Sequence, residues 1–140
     1  MMARLSMSAE ADRAALVQLW MRQADEELRA ARHLAGEAGV PDRIAAFHAH
    51  LAAEKALKAL TILRAVPVRK VHELAALAAV LPAADTARME QTDFDLLEPW
   101  NIEGRYPADL PDQEPPDVVR LIAAAERVVA AAQGTVEGTA

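Results

Sequence analysis

Between Phe47 and Leu63 the chain reads Phe-His-Ala-His-Leu-Ala-Ala-Glu-Lys-Ala-Leu-Lys-Ala-Leu-Thr-Ile-Leu, a helical run that is apolar on several sides rather than one. At the helical turn angle, His50, Glu54, Lys58 and Thr61 share an arc of about 80°. Leu57 flanks that arc on one side, with Leu51 and Ile62 on the other. Ala49, Ala52, Ala53, Ala56, Leu60 and Leu63 cover most of the remaining circumference. A helix of this kind belongs at the centre of a bundle or in a subunit interface, and its polar stripe must be paired or line a crevice.

Composition supports closely packed helices. Of 140 residues, 33 are alanine and only 4% are aromatic, so the core is built from small side chains and has room for one domain. Dimerisation is one way to supplement so thin a core. The formal net charge of -6 argues against a protein that coats nucleic acid or an anionic membrane, although it permits a local basic crevice. There is no cysteine, which removes disulfide and thiolate chemistry. No apolar run approaches a membrane span and the N-terminal residues are too polar for a signal peptide, so a cytoplasmic protein is expected.

Along the chain, residues 1–8 read as a flexible leader, 9–133 as a helical bundle domain and 134–140 as a flexible tail. The first helix is expected from Ala9 to Ala38, with Ala15, Leu16, Leu19, Trp20, Ala24, Leu28, Ala31, Leu34 and Ala35 on its apolar stripe, interrupted by Gln23. Gly36 and Gly39 end it, and Pro41 restarts a second helix that runs to Ala65 and stops before Pro67. A short third helix spans Val71 to Val80. A fourth is expected from Asp85 or Thr86, acting as cap, to Leu97 or Trp100. A Pro-rich stretch from Asn101 to Pro116 precedes a last helix, Pro116 to Ala132, with Val118, Leu121, Ile122, Ala125, Val128, Val129 and Ala132 facing the core. No strand pattern is present.

The chemistry-bearing residues are few. His50, Glu54 and Lys58 are successive i,i+4 neighbours, and Glu54 precedes Lys58 in the favourable order for a helix ion pair. The plainest reading is a salt bridge with a satisfied histidine beside it. The functional alternative has Lys55 or Lys58 reaching a phosphate while Glu54 orients it. Arg64, Arg69, Lys70 and His72 form a basic cluster that also fits a solvated turn. No zinc spacing, serine triad or glycine-rich phosphate loop occurs, so neither a metal nor any other cofactor is expected. In the late loop, Arg105 offers multivalent donors for phosphate and Tyr106 can stack on a base. The same Arg105-Tyr106-Pro107 group also suits a structural staple.

The ordered combination of Trp20, the Glu54/Lys55/Lys58 segment, His72-Glu73-Leu74, Arg105-Tyr106-Pro107 and the final helix resembles the HEPN family of nucleotide-binding helical domains. The resemblance implies an all-α, up-and-down four-helix bundle with a short accessory helix, and a homodimer with a cleft. It also implies frequent pairing with a minimal nucleotidyltransferase in a toxin-antitoxin-like module. Many relatives are metal-independent ribonucleases that place a histidine four to six residues after an arginine. Here no histidine follows His72, so Arg105 lacks that partner; Arg43 and His48 have the spacing but sit at the wrong place in the chain. The expectation is a non-catalytic domain that binds a nucleotide, RNA or a nucleotidyltransferase through Lys58, Arg105, Tyr106, Lys55, Glu54 and His50. The alternatives are a divergent ribonuclease using His50 or His72, and a purely structural helical dimer.

Overall fold

A computed structural model describes residues 2–67, 73–101 and 116–139, with side chains from residue 8 onward. Among the described residues six helices follow in order: α1 (Met2–Leu34), α2 (Asp42–Leu63), α3 (Leu74–Ala79), α4 (Ala83–Thr86), α5 (Gln91–Leu97) and α6 (Val118–Thr139), with a 3-10 turn over Glu98–Trp100. The all-α expectation holds. Helices α1, α2 and α6 form the core bundle, and the shorter helices pack against α2 and α6.

Helix α2 is central because alanine makes close approach possible. Ala45, Ala46, Ala49, Ala52, Ala53, Ala56 and Ala59 are all fully buried, so the backbones of α1 and α6 both lie close to it. Leu57 and Leu60 supply the bulk, together with Leu74 from α3 and Leu97 from α5. The α1–α2 connection is short, and Gly36 and Gly39 adopt the left-handed backbone (φ +74° and +80°) that turns the chain back on itself. Pro41 sits one position ahead of α2 as its N-cap.

The helix ends differ from expectation in ways the packing explains. Helix α1 begins at Met2, ahead of Ala9, and at about 50 Å it is longer than α2 at about 33 Å. Its buried face is Val17, Met21, Ala24, Leu28 and Ala31, whereas Ala15, Leu16 and Leu19 are exposed. The apolar stripe is thus rotated from the expected one, because α2 and α6 approach on the Val17–Leu28 side. At the other terminus α6 continues past Ala132 to Thr139. Val136 is buried against the core there, and the Thr135 and Thr139 hydroxyls donate to the carbonyls of Ala131 and Thr135.

The expected fourth helix is divided between α4 and α5. Asp85 is not its cap: its carboxylate is buried and accepts two hydrogen bonds from Arg64, at 2.7 and 2.6 Å from Nε and Nη2. Asp93 in α5 is held in the same bidentate way by Arg127 of α6, at 3.0 and 2.7 Å. Two forked contacts to different parts of the bundle fix α4 and α5 separately, and the chain turns between them. Helix α3 begins after Glu73 rather than at Val71, and Glu98 in the 3-10 turn caps it, accepting hydrogen bonds from the N–H groups of Leu74 and Ala75.

The C-terminus of α2 closes with a Schellman motif. Val66 N–H donates to Thr61 O at 2.8 Å and Ala65 N–H to Ile62 O at 3.0 Å. The motif places Ala65 in the left-handed region at φ +55°, where glycine is the residue usually found. Ala65→Gly is therefore expected to stabilise the protein by roughly 0.5–1 kcal/mol, the reverse of the usual effect of glycine in a helix. The check is a rise in the denaturant midpoint with an unchanged slope.

Candidate functional site

The seam between α1 and α2 carries most of the chemistry-bearing residues that sequence reasoning selected. The two helices run antiparallel, so Trp20 and Glu27, two turns apart on one face of α1, meet different levels of α2. Glu27 meets His48 and Lys55, while Trp20 meets Lys58.

At the upper level, the Glu27 carboxylate joins two basic side chains. Its Oε2 lies 2.6 Å from His48 Nδ1 and its Oε1 lies 2.9 Å from Lys55 Nζ. The three side chains are partly exposed, at 17% for Glu27, 27% for His48 and 22% for Lys55. Burial raises the Glu27 pKa, but the hydrogen bonds from His48 and Lys55, and their charges, outweigh it and hold the carboxyl below its ordinary value. Glu27 is thus ionised at neutral pH and accepts hydrogen bonds from both basic side chains.

At the lower level, Lys58 Nζ donates to Glu54 Oε2 at 3.2 Å and stands 5.8 Å above the centroid of the Trp20 ring. This is the expected i,i+4 pair, now seen to be buried, with side-chain exposures of 5% for Glu54 and 11% for Lys58. Thr61 Oγ1 donates to the Lys58 carbonyl at 2.7 Å. His50 completes the arc and is fully buried. The polar stripe of α2 is therefore buried at His50, Glu54, Lys58 and Thr61 alike.

The structure brings Glu54, Lys55 and Lys58 to one seam and places His50 beside them in the interior. Arg105, Tyr106 and His72 lie outside the described residues, as do Arg69 and Lys70. Sequence reasoning missed Glu27 and gave His48 no role. One signal was available: His48 and Lys55 stand seven residues apart on one face of α2 and call for an acid opposite. No cluster of metal-ligating side chains occurs among the described residues. No helix among them is long and apolar enough to cross a membrane.

A concavity of about 630 Å³ lies between α1 and α6, with Met21, Leu28 and Val129 among its apolar lining. Arg32 and Glu126, which also line it, form an exposed contact of 3.2 Å between the two helices.

Comparison with known proteins assigns the architecture. The model of the HEPN domain family matches residues 17–135. Among solved structures, the crystal structure of ST0689, an archaeal HEPN homologue, superposes with a TM-score of 0.65 at 25% sequence identity, covering 86% of this chain and 97% of that one. No curated protein matches the chain.

Two carboxylates shift in opposite directions, which makes the pH dependence of stability diagnostic. The lowered Glu27 pKa contributes stability that is present above the ordinary carboxylate value and lost as pH falls through the folded value. Glu98 is raised, by burial first and then by the charges of Glu73 and Asp95, against the lowering effect of the Ala75 and Leu74 N–H donors. Its contribution is therefore present at low pH and lost as pH rises through the folded value. Glu27→Gln should cost about 1–3 kcal/mol at pH 7 and less at pH 3, whereas Glu98→Gln should show the opposite pH trend. Denaturant unfolding between pH 3 and 8 measures both.

Proposed function

The chain belongs to the HEPN family, and from that membership we propose that it is a non-catalytic member which dimerises and binds a nucleotide or a partner nucleotidyltransferase in a cytoplasmic two-component module. The observation that carries the binding half of this reading is the pair of lysines at the α1/α2 seam, Lys55 and Lys58, each held by a carboxylate. Fixed ammonium groups suit phosphate recognition, and Trp20 beside Lys58 adds an aromatic surface.

The non-catalytic half rests on sequence. The relatives' ribonuclease chemistry needs a histidine shortly after the late arginine, and none follows Arg105. Burial of His50 weighs against its use as a replacement proton carrier. In this reading Arg105 binds phosphate without turnover, and Tyr106 packs beside the base.

The purified protein is expected to sediment as a dimer, to leave RNA uncut, and to bind either AMP or a minimal nucleotidyltransferase partner. Arg105→Ala should weaken that binding roughly tenfold, the effect of losing one charge-assisted contact. Calorimetry with AMP and co-purification with such a nucleotidyltransferase measure it. A dimer that binds neither, or RNA cleavage that Arg105→Ala abolishes, contradicts the proposal.

A further inference from the structure

On the flank of α1 that faces α6, away from the one that meets α2, Gln18, Arg22, Asp25, Arg29 and Arg32 share an arc of about 80°. Three of these five are arginines, in a chain whose formal net charge is -6. The two acids that line the concavity between α1 and α6 are already engaged: Asp25 pairs with Arg29 at 2.9 Å, and Glu126 pairs with Arg32 at 3.2 Å. Arg22 lines the same concavity, is exposed, and makes no ion pair or hydrogen bond among the described residues. Arg22 and Arg32 stand ten residues apart, about 15 Å along the helix. The Arg32–Glu126 contact joins the two walls at one end. The later turns of α6 lie beside Asp85, and Asp85 holds Arg64 at the end of α2, so α6 runs antiparallel to α1 and Gln133 belongs with Gln18 at the Arg22 end. Met21, Leu28 and Val129 make the apolar floor at only 4%, 3% and 9% exposure. That floor gives a docking helix almost nothing to bury, whereas a single flat ring covers it, and a thioether is a favourable neighbour for a ring.

We propose that this concavity is a binding site for a small ring-bearing anion, a phosphate or carboxylate carried on a flat apolar ring, with Arg22 holding the anionic head and Met21, Leu28 and Val129 holding the ring. The site goes beyond the nucleotide reading: it lies on another flank of α1 from Lys55 and Lys58 and uses none of the residues assigned there. The volume, about 630 Å³, is that of a small-ligand cleft. A guanidinium suits the head because it presents two parallel N–H donors to two oxygens at once. The Gln18 amide and the Gln133 carbonyl oxygen add polar contacts at the same end, the Gln133 amide nitrogen being engaged with Glu137 at 3.0 Å. Asp25 and Glu126 set the orientation. Their charges repel an anion from the Arg32 end, so the head goes to Arg22 and the ring lies toward Arg32. Ala130, exposed on the α6 wall, leaves the space that the ring takes. Binding involves no covalent step.

Phenyl phosphate and phenylacetate are the probes, each beside its head without the ring, inorganic phosphate or acetate. Titrations at about 0.15 M salt, where diffuse attraction between exposed charges is largely screened, are followed by NMR of the Met21 and Val129 methyl groups. At least one ring-bearing probe should shift both methyl signals and bind at least tenfold more tightly than its ringless head. The tighter of the two identifies the head as phosphate or carboxylate. Arg22→Met should weaken binding about tenfold, the effect of losing one charge-assisted contact. Ala130→Leu, which fills the concavity from the α6 wall, should abolish it. Arg120→Met removes one positive charge from α6 outside the concavity and should leave binding unchanged, which separates a local contact from general attraction. Arg22 and Ala130 both occupy exposed helical positions, and circular dichroism establishes that each variant is folded. Binding of neither probe, a ringless head bound as tightly as its ring-bearing probe, or binding unchanged in Arg22→Met or in Ala130→Leu overturns the site.

Discussion

Placing a lysine and a glutamate inside an alanine-lined bundle costs several kcal/mol per ion unless each charge is met where it lies. Glu54 and Lys58 meet that condition within α2 itself, one turn apart, and Trp20 of α1 covers the ammonium from the neighbouring helix. The same helix lines much of its remaining circumference with alanine, so that α1 and α6 can both pack on it. The central position of α2 depends on these two conditions together. Alanines alone would give close packing with no account of the charges, and the charged stripe alone would force α2 to the surface.

The rest of the molecule is tied to this centre by contacts between ionised groups. Glu27 links α1 to α2 through His48 and Lys55, Arg64 links the end of α2 to α4, and Arg127 links α6 to α5. Alanine contributes little bulk per residue, so a core built from it gains less from burial than one built from leucine. Forked arginine–aspartate contacts compensate in specificity: Asp85 and Asp93 are nearly fully buried, and each accepts two hydrogen bonds in one fixed geometry.

How much was legible in the sequence follows from how local each cause is. The multi-sided apolar run of α2, the Glu54–Lys58 pair and the core face of α6 are set by spacing within one helix, and all three were readable. The division of the expected fourth helix was not, because it depends on Asp85 meeting Arg64, twenty-one residues earlier, and Asp93 meeting Arg127, thirty-four residues later. The rotation of the α1 stripe has the same origin: Leu16 and Leu19 fit a helical period as well as Val17 and Met21 do, and the approach of α2 and α6 selects between them. Glu27 escaped notice because a glutamate beside Glu26 on a long helix reads as solvated surface until α2 brings two basic side chains to it. Arg105 and Tyr106, the late-loop residues of the expected site, rest on the resemblance of their motif rather than on geometry.

In the proposed reading the buried charges of α2 serve binding rather than stability, and a double replacement separates the two. Substituting Glu54→Leu together with Lys58→Met exchanges the ion pair for apolar side chains of similar size, a change that is often neutral or stabilising for a buried pair. The measurement is the unfolding free energy of the double variant beside its affinity for AMP. Stability within about 1 kcal/mol of the unaltered protein, or above it, is expected, with binding lost. A variant that is several kcal/mol less stable, yet binds as well as the original when folded, would contradict that reading.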